Sequence, residues 1–435
     1  MSAETPDTSV PILVLSLAPD PRHHGPLHIA RSAGRLGIRV YSVQSSRLAP
    51  AVSSRYMCGT LVVPHEASTA EWLHNLDRIG AKLGRAVLIP IDDAGTAFVD
   101  EHADTLADRF LFPRRPSELN TLLGSKRELH LLATRLGIGS PDAAFPQDVA
   151  EASEDAERLG YPVVLKRVVG WPPSDDDGMV SVRIARDREE LRRMFTEMRG
   201  TGAQPNVMLQ EHIPGAPQSV CMFNGYFDAR SEALVRFTGL KVRQRPPYTG
   251  ATTLGVCAWN ERVDRDSRRL LGAVDYRGIV DLGFRYDARD GRYKLLDVNP
   301  RIGATFRLFV GDDGMDVLRA LYLDLTGQHV APTRQPEGRR WIVEHADVSS
   351  SISYWRDGQL TPREWLDSLA GVRETAWFAA DDPIPALAML ATISGDGISR
   401  RFRRMLRERE ASSLELRDPV DGTTQKGEEE EIHLG

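Results

Sequence analysis

Asp297, Asn299 and Arg301 stand two residues apart in the stretch 278–303, GIVDLGFRYDARDGRYKLLDVNPRIG, and on a β-strand that spacing sends all three side chains to one face. A carboxylate, an amide and a cation then share one surface. Asp281 lies on a preceding strand, and the turn Asp287-Ala-Arg-Asp-Gly291 is rich in residues that tolerate tight reversal, so Asp281 is expected alongside Asp297. Hard oxygen donors of this kind suit magnesium, which binds through one or two carboxylates together with nucleotide phosphates. An arginine beside them is placed to hold a transferring phosphoryl group.

The rest of the chain must position that hairpin. At 435 residues it exceeds one hydrophobic core, and two or three domains are expected. Hydrophobic residues make up 41% and charged residues 27%, the balance of a soluble globular protein. The net charge of −6 and pI near 6.0 give no footprint for nucleic acid, and the basic run at 400–409 reads as a solvated helix face. Three cysteines, Cys58, Cys221 and Cys257, without CxxC or His/Cys pairing, argue against a disulfide scaffold or zinc site. No run is long enough to span a bilayer, and Ile12 to Ala18 lacks the flanks of a signal peptide. A cytoplasmic location is expected, with no membrane partner. No internal repeat is found.

Ile12-Leu13-Val14-Leu15, a helical stretch ending at Gly37, and Ile38 to Val43 read as a βαβ unit. Ala86 to Ile91 is another strand, followed by Asp92-Asp93 and a helix to about Asp108, so an open α/β layer continues. Loops at the carboxyl ends of such strands, here after Leu17 and Ile91, form ligand walls. The first loop carries His23-His24-Gly25 rather than GxGxxG, which disfavours a dinucleotide oxidoreductase. From Pro116 the pattern becomes one helix, Ser117 to Leu136, then mixed strand and helix. Two lysines stand out, Lys126 in that helix and Lys166 at the end of the β-rich run Tyr161 to Lys166. Asn206 to Gly215 is an apolar strand running into a turn. Lys241, Arg243 and Arg245 alternate, so three cations are expected on one strand face.

The order of these motifs resembles the ATP-grasp superfamily, whose hairpin carries an acidic residue on one strand and Glu-x-Asn-x-Arg on the next. Here the second half reads Asp297-Val-Asn299-Pro-Arg301. Where the family has its first metal-binding Glu before an aromatic residue, this chain has Gly283 before Phe284, and Asp281 is the candidate substitute; otherwise that metal position is vacant. The resemblance covers about 116–325 well and the preceding α/β segment loosely. It implies α/β and α+β structure: an ATP-grasp fold with an N-terminal Rossmann-like α/β pre-ATP-grasp domain (1–115), a nucleotide-binding and catalytic domain (116–330), a small C-terminal extension resembling that of D-aspartate ligase-like relatives (331–415) and a disordered acidic tail (416–435).

It also implies roles. Lys126 and Lys166 would contact the ATP phosphates, whose charge magnesium alone does not neutralise. Gln210, Glu211 and Ile213 would clamp adenine, with Glu211 the best polar candidate. Lys241 and Arg243 would face the γ-phosphate and acyl site, Arg301 would stabilise the phosphoryl transition state, and Asp281, Asp297 and Asn299 would hold Mg2+. The loop from Trp171 to Gly178 stands where the family has a glycine-rich cover, but it holds three aspartates. The carboxylate-amine ligase branch is the nearest in character: an ATP-dependent ligase forming an amide through an acyl-phosphate, acting on small-molecule amino acids or peptides, with a homodimer left open. An ATP-binding regulator without catalysis and an ATP-grasp carboxylase are the alternatives.

Overall fold

The computed structural model describes residues 6–18, 22–46, 49–168, 182–199 and 205–394. The Trp171–Gly178 loop, the basic run at 400–409 and the acidic tail lie outside them. The chain forms two compact units. The first takes the described residues of Met1–Ile89, Asp108–Leu111 and Trp377–Gly435, and the second takes Pro90–Ala107 and Phe112–Ala376.

Short apolar runs build the first unit. Ile12–Leu15 is almost wholly buried and pairs in parallel with Val40–Gln44, as continuous hydrophobic strands do when both faces are covered. The strand order is Met57–Val62, Val40–Gln44, Ile12–Leu15, Ala86–Pro90, Phe110–Leu111. Helix Thr69–Leu83 begins at a capping box in which Ser68 and Glu71 satisfy each other's backbone N–H groups. The buried Arg31 donates through Nε to Asp382 (3.0 Å) and through Nη2 to the Trp377 carbonyl (2.7 Å). That bidentate grip fixes the segment after Trp377 within this unit.

The second unit holds two sheets. The larger runs in the order Arg292–Asn299, Gly278–Asp287, Val220–Phe227, Ala233–Arg245, Ala251–Cys257, Arg340–Ile342, Val372–Thr375, antiparallel except for its last pair. Arg340–Ile342 and Val372–Thr375, read from sequence as part of an extension, thus complete this sheet. The smaller sheet runs Ala143–Ala144, Val207–Glu211, Val163–Arg167, Val182–Ala185. Helices Val149–Leu159 and Arg188–Met198 cover it through Ala152, Ala156, Leu191 and Phe195, each started by an aspartate, Asp148 or Asp187, that accepts from two backbone N–H groups.

Two sequence expectations change here. The single helix Ser117 to Leu136 is two, Ser117–Gly124 and Lys126–Arg135, because Ser125 turns to an extended conformation and its side chain caps the second helix at Glu128 N. In Ala233–Arg245 the cation alternation fails. The ladder to Ala251–Cys257 shifts register between Lys241 and Arg243 and again between Arg243 and Gln244, and such irregularities turn a side chain to the other face.

Candidate active site

In the hairpin the register places Asp281 opposite Asn299 and Gly283 opposite Asp297, with the irregularity only beyond Gly283. Asp281 therefore comes alongside Asn299 rather than Asp297, while all four positions keep one face. The turn closes through Gly291 N to the Asp287 carbonyl (2.9 Å), with Gly291 at φ 66, a left-handed value glycine adopts without a Cβ clash.

That face looks into a cavity of about 1470 Å3 lined from both sheets. Asp297 accepts an ion pair from Lys126, and Asn299 Nδ2 lies 3.4 Å from its other oxygen. Its enclosed position works to raise the Asp297 pKa, but the charge and hydrogen bond of Lys126 outweigh that and hold it below the ordinary value. Asp281 differs. Burial pushes its carboxyl up to about 6 against the pull of Lys241 and Arg301, and its Oδ1 is buried with no hydrogen-bond partner. An orphaned carboxylate oxygen costs free energy unless something meets it. A divalent cation beside Asp281, Asp297 and Asn299 would meet it, so the donor set fits magnesium with phosphate oxygens completing the shell.

The cations surround this acidic face. Lys126 occupies the first turn of its helix, with its backbone N–H donating to the Val168 carbonyl (2.8 Å). Lys166 lines the cavity from the smaller sheet, and burial, then the charge of Lys126, bring its ammonium down to about 8. Lys241 also lines it, donating to the Gly250 carbonyl (3.2 Å); burial lowers its pKa against the opposing pull of Asp281 and Asp297. Arg301 is ion-paired through Nε with Asp93.

Arg243, expected to face the γ-phosphate and acyl site, does not line the cavity. Its side chain, 4% exposed, leaves the cavity and makes a bidentate pair with Asp347, Nε to Oδ1 and Nη2 to Oδ2, both 2.8 Å. The register shift puts Gln244 on the cavity side instead, where Nε2 donates to the Gly250 carbonyl (2.9 Å).

On the linker after Val207–Glu211, Gln210 and Ile213 are buried and line the cavity. Glu211 also lines it, but its carboxylate is already engaged, accepting from Asp142 N (3.0 Å), Lys294 (2.8 Å) and Arg289. Burial works against that set, yet the hydrogen bonds prevail and lower its pKa. Its side chain organises the linker, leaving backbone groups and Gln210 to face a ligand. Two further charged residues line the cavity without having been candidate site residues. Asp93 is one, on the loop after Ile91 that was expected to form a ligand wall. Arg285 is the other, with Nη2 on the Gly215 carbonyl (2.7 Å); nothing in its local sequence marks it.

No family model matches the chain. It is similar to the D-aspartate ligase of Enterococcus faecium, 22% identical over 250 residues that cover 56% of this chain and 59% of that protein. It also resembles the C-terminal section of the carbamoyl phosphate synthase large chain of Methanopyrus kandleri, 24% identical over 252 residues, 55% of this chain and 45% of that one. The chain thus spans about half the length of the curated relatives it matches. Among solved structures, N5-carboxyaminoimidazole ribonucleotide synthetase from Thermus thermophilus superposes with a TM-score of 0.56 at 13% identity, covering 76% of this chain and 81% of that one. L-amino acid ligase from Bacillus licheniformis gives 0.54 at 16%, covering 75% and 78%. At such identities the structural likeness speaks for fold. The chain has an ATP-grasp fold, and its relatives support an ATP-grasp ligase.

Proposed function

We propose that the chain joins a carboxylate, from an amino acid or peptide, to an amine through an acyl-phosphate, releasing ADP and phosphate. One observation carries the reading: Lys126, Lys166, Lys241 and Arg301 surround Asp281, Asp297 and Asn299 in a single cavity. Opposite charges gathered in one partly enclosed space suit a triphosphate and the transfer of its terminal group, where catalysis is mostly positioning and electrostatics. The likeness to a D-aspartate ligase supports the amide-forming branch.

On this reading adenine lies against Gln210 to Ile213, and Lys126 and Lys166 take phosphate oxygens, Lys126 leaving its pair with Asp297. Magnesium, when bound at Asp281, Asp297 and Asn299, supplies charge neutralisation for the phosphates. Arg301 holds the transferring phosphoryl group and then the acyl-phosphate, a contact worth roughly 3 kcal/mol for one well-placed donor. Lys241 faces the same group from strand Ala233–Arg245. The amine then displaces phosphate, and water must be kept out or the intermediate hydrolyses.

ADP release screened over amino-acid pairs, followed by mass analysis of the product, tests the proposal. Turnover that requires bicarbonate would establish the carboxylase reading instead, and ATP binding without ADP release for any acceptor would establish the regulator.

A further inference from the structure

Four carboxylates line the cavity among the described residues, and three of them already have an occupation. Asp281 and Asp297 belong to the set that fits magnesium, and Glu211 accepts from Asp142 N, Lys294 and Arg289. Asp93 is the fourth. It opens helix Asp93–Glu101 directly after Asp92, whose side chain caps that helix at Gly95 N (2.7 Å). Capping thus falls to Asp92, and the Asp93 side chain stands 59% exposed at the cavity wall. Asp93 and Arg301 both belong to the second unit.

The pairing of Asp93 with Arg301 uses part of each group. Arg301 Nε donates to Asp93 Oδ1 and Nη1 reaches the Ile302 carbonyl (3.4 Å), while Arg301 Nη2 and Asp93 Oδ2 bond to nothing among the described residues. One ion pair therefore presents a cationic edge and an anionic edge to the same cavity. We propose, on the reading that Arg301 holds an acyl-phosphate, that Asp93 Oδ2 binds the attacking amine as its ammonium. The acyl carbon is one oxygen removed from the phosphorus, and a nucleophile must come within about 3–3.5 Å of it, so an amine in attacking position stands beside Arg301 and its partner. An ammonium also needs an anionic foothold in a cavity walled by Lys126, Lys166, Lys241, Arg285 and Arg301. A charge-assisted hydrogen bond to a carboxylate supplies one. The ligand class follows: an amine that carries a positive charge, as the α-ammonium of an amino acid does, in preference to a neutral nucleophile.

Hydroxylamine, largely uncharged near neutral pH, competes with an amine for an acyl-phosphate and converts it to a hydroxamate. The purified full chain is given ATP, magnesium and the common amino acids in both D and L forms with hydroxylamine present, and amide is measured against hydroxamate by mass. Because both products draw on one intermediate, their ratio does not depend on how much of it forms. Asp93→Asn keeps an oxygen for Arg301 Nε and replaces the anionic edge by an amide, so the ratio of amide to hydroxamate should fall about ten- to a hundredfold. Asp93→Ser serves if circular dichroism finds the asparagine variant unfolded. Both products falling together at an unchanged ratio would mean that Asp93 only orients Arg301, which overturns the proposal. So does hydroxamate without amide in the parent, since no amine then reaches the intermediate. A parent that forms neither product refutes the acyl-phosphate itself, and the amine site goes with it.

Discussion

The hairpin Gly278–Asn299 and the strand Ala233–Arg245 belong to one sheet and both carry charged residues at alternate positions, yet only the hairpin delivers its side chains where alternation sends them. In the hairpin the ladder stays regular across Asp281, Gly283, Asp297 and Asn299 and breaks just past them. In the other strand it breaks on both sides of Arg243, so Lys241 and Gln244 face the cavity while Arg243 is buried against Asp347. Period-two reasoning holds where pairing is uninterrupted, and a local irregularity inverts it without any trace in the residue types.

The sharpest break of that comparison is Asp297→Asn. It removes the carboxylate that pairs with Lys126 and that the proposed function places against the phosphates, and turnover should drop by a factor on the order of a thousand, with thermal unfolding nearly unchanged because the side chain is 41% exposed. Arg243→Ala should do the reverse. Leaving Asp347 buried without its partner should cost about 3–5 kcal/mol of stability, read by denaturant unfolding, while molecules that remain folded should keep their ATP affinity. An Arg243 variant that is stable but inert would restore the alternating-cation picture.

Within the cavity the cations should divide their labour. Arg301→Ala should lower kcat with little change in ATP binding, and Lys166→Ala should raise the KM for ATP, each by about ten- to a hundredfold. Steady-state kinetics with ATP titration separates the two, and equal effects on binding would remove the distinction. Smaller still is the response at Gly283, where an added Cβ meets nothing within 4 Å. Gly283→Glu should fold normally and lower the magnesium needed for half-maximal turnover by several-fold, whereas Asp281→Ala should raise it. Identical magnesium curves for Asp281→Ala and the parent would mean that this strand supplies no ligand.

The smallest effect is on pH. Lys166, brought down to about 8 by burial and by Lys126, loses its charge as pH rises through that value, so kcat/KM for ATP should fall above about 8. Lys126→Met removes the repelling charge and should move that limb to higher pH; a limb that stays in place assigns it to another group.

Much of this was legible because local chemistry and global fold agree. Ile12–Leu15 and Val40–Gln44 announce a parallel sheet by composition, and Asp297, Asn299 and Arg301 announce a site by spacing. What was not legible depends on contacts remote in sequence. Glu211 looks like a base-reading carboxylate until Lys294 and Arg289 arrive from a strand more than eighty residues away and from its turn. The ion pair of Asp93 with Arg301 likewise joins segments that no periodicity connects. The break at Ser125 is an intermediate case: a serine three residues before Glu128 is a helix-start signal, masked by the apolar pattern running on both sides of it.

The bond from Lys126 N to the Val168 carbonyl joins two stretches of backbone that lie far apart in the sequence. Val168 follows directly on the strand that carries Lys166, and the helix that carries Lys126 starts at the other end of that bond. One hydrogen bond therefore ties together the places where these two cavity-lining lysines leave the main chain, so the smaller sheet and the start of that helix are anchored to each other directly beneath the pair.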